Sequence, residues 1–225
     1  MAAEVLVAGG TGALGAAVVR ELVASGHEVG ATWVDERERE RLEGVEGVEL
    51  IKADLFDPNE AATAVAAISD VQAVVNLVGG YAEGGLVHET DPDEFERLMR
   101  LNLRPNITLA RAAIPRFLRR GGGAFVAVSA RPALRPFPGA APYIVAKAAV
   151  LSFVQTLDAE YRKDGIRANA VLPSVIDTPA NRAAQPNADF SNWVAPEEIA
   201  KVIRFLVSED SAPTSGAAVP VYGRA

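Results

Sequence analysis

Tyr143 and Lys147 lie four positions apart in the stretch Pro142-Tyr143-Ile144-Val145-Ala146-Lys147. The segment they open runs to about Tyr161, and its apolar residues (Ile144, Val145, Ala148, Leu151, Val154, Leu157) recur at helical spacing. Pro142 suits a first helical turn, where its missing N–H costs nothing. Positions four apart on a helix share a face. A free tyrosine has a pKa of about 10, and a neighbouring ammonium favours the phenolate and lowers that value. Such a phenol can give a proton to a carbonyl, or take one from an alcohol, near neutral pH. Spacing alone does not establish this, because helix geometry pairs such residues as a matter of course. Something else in the chain must give the pair a reaction to serve.

The N-terminus offers it. Glu4–Ala8 reads as a buried strand that runs into Gly9-Gly10-Thr11-Gly12-Ala13-Leu14-Gly15 and then an apolar helix to about Ser25. A glycine-rich turn between strand and helix lets the backbone approach a pyrophosphate at the helix N-terminus, where N–H groups and the dipole favour negative charge. Gly9 permits the tight turn, Gly12 the approach and Gly15 close helix–strand packing. The alternative is a glycine turn with no ligand. The second strand is Glu28–Val34, and Trp33 near its end holds the position where an acid would bind the ribose hydroxyls of NAD and an arginine would favour the NADP phosphate. The run Asp35–Arg41 follows and reads mostly as a solvated, ion-paired helix face. Arg37 or Arg39 could reach a 2′-phosphate and Asp35 a ribose, so NADH and NADPH both stay open.

Composition narrows the field. Of 225 residues, 49% are hydrophobic, which is enough for one large α/β domain over residues 1–225. A net charge of -7 argues against nucleic-acid and anionic-membrane partners. The absence of cysteine excludes disulfides, thiolate metal sites and a cysteine nucleophile. His27 and His88 sit in unrelated contexts and read as solvated side chains, so no metal site is expected. There is no leader-like segment and no apolar run long enough for a bilayer, so the expectation is a soluble, cytoplasmic protein.

The remaining elements alternate. Val48–Lys52 is a third strand, followed by Asp54 and a helix over Pro58–Ile68. Ala73–Val78 is a fourth strand ending at Gly79-Gly80, and the loop Tyr81–Thr90 follows. A long helix begins at Asp91-Pro92 and reaches about Leu118, with kinks expected near Pro105 and Pro115. Within it Asn102 is a poor mid-helix choice, either partly exposed or kept for its hydrogen bonds. Ala124–Val128 leads to Ser129-Ala130 and a proline-rich loop, and Arg167–Leu172 is the sixth strand. Pro173–Ala195 is irregular, a helix begins at Pro196, and Ala218–Val221 is a last strand. The pattern is that of one Rossmann-type, doubly wound parallel sheet of about seven strands with helices on both faces. Loops at the strand C-termini then share one crevice. A dinucleotide and a Tyr/Lys pair in one crevice imply hydride transfer.

The whole chain resembles the short-chain dehydrogenases/reductases. The matches are the glycine turn, Asp54, Asn76-Leu77-Val78-Gly79, Asn102, Tyr143 with Lys147, and Pro173–Thr178. The resemblance implies an NAD(P)-dependent oxidoreductase with Tyr143 as acid/base. Lys147 would lower its pKa and bind the nicotinamide ribose, and Asn102 would hold a relay water. Asp54 would meet the adenine, and Ile176 and Thr178 the carboxamide. It extends the cofactor set to Thr11, Ala13, Leu14, Leu55, Val78, Gly80 and Pro173.

A narrower likeness, to the dihydropteridine reductase branch, rests on Gly9–Gly15, Val78–Ala82 and especially Asp177–Arg182 with Ala188–Trp193. It implies a quinonoid, pterin-like substrate as an alternative to a small carbonyl. Most members carry a serine thirteen positions before the tyrosine, and here that position is Ala130. Ser129 is a possible stand-in, although strand alternation points it to the opposite face. Trp33 stands where NADH-preferring members have an acid. Asp177–Trp193 is expected to act as a lid. Tyr81, Phe190 and Trp193 either stack on a flat ring or pack the lid, and Arg182 is a further substrate candidate. The missing serine also motivates a second reading, a dinucleotide-binding sensor or scaffold with little turnover. A homodimer or homotetramer is expected through the two long helices, whose alanines (Ala110, Ala112, Ala113; Ala146, Ala148, Ala149) allow close approach or else pack on the sheet.

Overall fold

The computed structural model describes residues 4–224. Seven strands form one sheet: β1 (Glu4–Ala8), β2 (Glu28–Trp33), β3 (Val48–Lys52), β4 (Val71–Asn76), β5 (Gly123–Val128), β6 (Ile166–Pro173) and β7 (Ala218–Val221). Their order is β3-β2-β1-β4-β5-β6-β7, and every pairing is parallel. The order reverses between β1 and β4, so the crevice at their C-terminal ends is where such a sheet takes a ligand.

Side-chain alternation along β1 explains the layers. Val5 and Val7 face one core with Val18, Leu22, Ile199 and Ile203, from α1 (Ala13–Ala24) and α6 (Pro196–Val207). Leu6 and Ala8 face the other. That core is closed by α2 (Pro58–Ala67), α3 (Pro92–Arg120) and α4 (Ala141–Tyr161), which supply Val65, Leu109, Phe117 and Val154. Helices therefore cover both faces, as parallel strands require.

Sequence and structure part company in a few places. β4 ends at Asn76, short of Val78, because the Asn76 side-chain oxygen accepts the Val78 N–H at 3.1 Å and turns the chain out of the sheet. The charged run folds as a 3-10 helix, Glu36–Leu42, capped by Asp35. The irregular segment contains a short helix, α5 (Pro179–Ala184), and one turn of 3-10 helix at Phe190–Asn192. α3 continues through Pro105 and Pro115 as one helix and ends on Gly121 in the left-handed region. His27 is buried at the α1–β2 turn, 8% exposed, so its reading as a solvated side chain is corrected; His88 is exposed. Ala110, Ala113 and Ala146 are buried within the protomer, which leaves Ala112, Ala148 and Ala149 partly exposed on the helix surfaces.

Candidate active site

The glycine turn is built by close backbone approach. Gly9 has φ +74, which favours glycine, and its N–H donates to Thr32 Oγ1 on β2 at 2.9 Å. A Cβ on Gly15 would stand 2.1 Å from the Gly9 oxygen, and one on Gly10 would stand 2.7 Å from Ala31 Cβ. At Gly12 the only neighbour of such a Cβ would be the Gly9 oxygen, at 3.3 Å. Gly12 is the N-cap of α1 and supplies no side-chain cap, so the N–H groups of Ala13, Leu14 and Gly15 begin the helix with no oxygen from the cap residue. The residues present thus fit a pyrophosphate, which would lie over Gly12 against these donors. Thr11 is buried, and its carbonyl accepts from Arg41 at 2.8 Å.

At the end of β2, Trp33 is flanked by cations. The Arg39 guanidinium lies 4.8 Å and the Lys52 ammonium 5.3 Å from its ring centroid. Asp35 is engaged by Arg37 through two side-chain hydrogen bonds, which hold its carboxyl below the usual range. Asp54 is exposed at the end of β3 and accepts the Phe56 N–H at 2.9 Å. Leu55 is buried, and its carbonyl accepts from Thr108, so its side chain belongs to the core.

The centre of the crevice is held by side chains. Lys147 is 7% exposed, and its ammonium donates to the Val128 carbonyl at 3.0 Å. It lies 5.9 Å from the Tyr143 ring centroid. Burial pushes Lys147 down to about 8 and Tyr143 up to about 12. The lowering of the phenol pKa expected from the lysine charge is therefore outweighed by desolvation, which favours the neutral form of both groups.

Asn102 is fully buried. Its Oδ1 accepts the Gly80 N–H at 3.1 Å, and its Nδ2 donates to the carbonyls of Gly80 at 3.1 Å and Leu98 at 3.0 Å. That settles the two readings of this mid-helix asparagine in favour of hydrogen bonding. Ser129 donates to the Lys147 carbonyl at 2.7 Å and is buried, so its hydroxyl is engaged with α4; as a replacement for the missing serine it is corrected.

At the far side, Pro173 closes β6 beside Val221, and Val78 packs against the core. The Ile176 carbonyl accepts from Asn181 at 2.8 Å, and Thr178 caps α5 through the Asn181 N–H at 3.2 Å. In the expected lid, Arg182 is bound to Asp177 and lies 4.6 Å from the Phe190 ring, which in turn lies 4.7 Å from Trp193. These three side chains are thus engaged with one another. The aromatic ring that meets Tyr143 is Tyr81, edge-on with centroids 4.9 Å apart. A loop residue's contact with a helix sixty positions later has no local sequence signal beyond its aromatic type.

A groove of about 650 Å3 lies at the opposite edge of the sheet, lined by Arg120, Arg162 and Arg167 among others. These arginines are engaged by Asp70, Asp158 and the Leu206 and Ser208 carbonyls, so the groove has none of the crevice's chemistry.

Comparison with known proteins places the chain in a family. Residues 9–223 match the family described as Enoyl-(Acyl carrier protein) reductase. A 2-(R)-hydroxypropyl-CoM dehydrogenase of Xanthobacter autotrophicus is 27% identical, over 99% of this chain and 98% of its own. A solved short chain dehydrogenase/reductase family protein is 30% identical with a TM-score of 0.90, over 98% of this chain and 96% of its own. The fold is also that of ElxO with NADP bound, at TM-score 0.91 and 22% identity, over 99% and 98% of the two chains. The chain belongs to the short-chain dehydrogenase/reductase family and is an NAD(P)-dependent oxidoreductase.

Proposed function

We propose that the protein reduces a small carbonyl-like or quinonoid, pterin-like substrate, with Tyr143 delivering the proton. The observation that carries this is the buried Lys147 ammonium beside the Tyr143 ring, at the crevice edge that also holds the glycine turn. The bound NAD(P)H would supply a hydride, two electrons, to the substrate. Gly12 and the α1 N–H groups would hold its pyrophosphate, Lys147 its nicotinamide ribose, and Ile176 and Thr178 its carboxamide. Tyr143 gives its phenolic proton to the substrate oxygen or nitrogen. The Lys147 cation then stabilises the phenolate that remains, an interaction strengthened by exclusion of water. Asn102 holds the Gly80 backbone against this pair.

The test is NAD(P)H oxidation with quinonoid pterins, quinones and ketones. Tyr143→Phe is expected to lower kcat/KM by about 10²–10⁴-fold, the usual share of a general acid. If no substrate is turned over, or if the variant equals the parent, the reading is lost and the sensor alternative takes its place.

We further infer a preference for NADPH. Lys52 and Arg39 stand at Trp33 where a ribose-binding acid would be, Arg39 in an ion pair with Glu36 that a phosphate would have to displace, while Asp35 is engaged by Arg37. Arg39→Ala should weaken NADPH about tenfold and NADH little, and Trp33→Asp should reverse the preference. Equal affinities in the parent would refute it. A homodimer or homotetramer through α3 and α4 goes with this reading, since Ile107 and Val145 are exposed there; a light-scattering mass at the monomer value would exclude it. So does a cytoplasmic location, to be checked by fractionation; among the described residues no helix is long and apolar enough to cross a membrane.

A further inference from the structure

Beside Tyr143 stands Tyr81, in edge contact with its ring and hydrogen-bonded to Glu83; both loop residues are exposed, Tyr81 by 49%. Ala130 offers no hydroxyl, and the Ser129 hydroxyl is engaged with α4. Tyr81 is held from two sides. Behind it, Asn102 pairs with both the N–H and the carbonyl of Gly80, as a neighbouring strand would. This grip needs two glycines: a Cβ on Gly79 would stand 2.6 Å from Asn102 Oδ1, and one on Gly80 would stand 2.5 Å from Leu101 Cδ2. In front, the Tyr81 hydroxyl donates to Glu83 Oε2. Burial and then this hydrogen bond push the Tyr81 pKa upward, so the phenol stays protonated with its one hydrogen directed at the carboxylate. A phenol so engaged and a carboxylate offer only lone pairs to a third group. These two side chains therefore accept hydrogen bonds and donate none.

We propose that the Tyr81–Glu83 pair is a specificity determinant that selects substrates bearing an N–H or amidinium donor beside the reducible bond. The proposal rests on the reductase reading of the same crevice. A donor-bearing ring gains charge-assisted hydrogen bonds from the pair. A bare diketone sets its own lone pairs against them and is disfavoured. A flat heterocycle can reach this pair and Tyr143 together, since the two tyrosine rings are in edge contact.

Two probes separate the cases: pterin, whose bicyclic ring carries amide and amidine N–H groups, and 9,10-phenanthrenequinone, a flat diketone with no donor. Dissociation constants are measured by fluorescence with NADP+ present, for the parent, Glu83→Gln and Tyr81→Phe. The parent is expected to bind pterin more tightly than the quinone. Glu83→Gln places a donor in the pair and should reduce the pterin-over-quinone ratio about tenfold, the effect of losing one hydrogen bond to a charged group. Tyr81→Phe should reduce it in the same direction. Absence of pterin binding by the parent, or an unchanged ratio in both variants, overturns the proposal. Binding requires no hydride transfer, so failure of turnover with the binding ratio as stated would remove the reductase reading alone.

Discussion

The two ends of the crevice are built on opposite plans. At the Tyr143 end, polar groups are buried and each is held by a specific partner: Lys147 by Val128, Ser129 by Lys147, Asn102 by Gly80. At the Trp33 end, the charges from Asp35 to Arg41 pair with one another in solvent. A buried group that loses its partner bears the full desolvation penalty, whereas an exposed ion pair is screened and contributes little. The contacts around Tyr143 are therefore rigid, and those around Trp33 can be exchanged without disturbing the fold.

The largest expected departure is at the turn that joins the two ends. In Gly15→Ala the new methyl meets the Gly9 backbone, which cannot swing aside. The loss of stability should exceed the roughly 1–3 kcal/mol usual for overpacking. Urea unfolding measures it, and a variant with the parent midpoint would show that the turn yields.

Lys147 sharpens the contrast through pH. Its folded pKa is lowered to about 8 from 10.5. Below pH 8 the ammonium is charged in both states, and the folded state bears the whole burial penalty. As pH rises from about 8 towards 10.5, the folded state releases its proton first and stability increases, by about 3 kcal/mol in all. Tyr143, raised from 10.0 to about 12, acts in the other sense above pH 10, where the unfolded phenol ionises first and stability falls. Lys147→Met should remove the rise between pH 8 and 10, seen as a flat urea midpoint across that window. A slope equal to the parent's would assign the rise to other groups.

The smallest effect belongs to the exposed end. Arg37→Ala removes the partner of Asp35 on the surface, where 88% of the arginine side chain is exposed. Its urea midpoint should match the parent's at any salt concentration. A clear loss at low salt would show that the charged run is more than a solvated face.

Much of this arrangement was legible in the sequence, for local reasons. The apolar runs, the glycine turn and Pro142 each act through neighbours a few positions away, and they placed every strand and every long helix. The partnership of Tyr143 and Lys147 followed from helical spacing. Spacing could not reveal burial, so the direction of the Tyr143 pKa was read with the wrong sign. The contact of Tyr81 with Tyr143, the grip of Asn102 on Gly80 and the engagement of Ser129 with α4 join segments far apart in the chain. Nothing within either segment encodes them. The same holds for His27, whose burial is set by packing around a turn.

Ser129 and Lys147 cross one seam in opposite directions, the hydroxyl to a helix carbonyl and the ammonium to a strand carbonyl. Together these bonds index α4 to the end of β5 independently of the chain that links them. The linking loop, Arg131–Ala140, shares in aiming Tyr143 only at its ends, where Arg131–Ala133 packs beside α4 and the buried Ala140 caps it. Its middle, Leu134 to Pro138, is exposed, which makes that stretch the natural place to graft a new loop while α4 keeps its position.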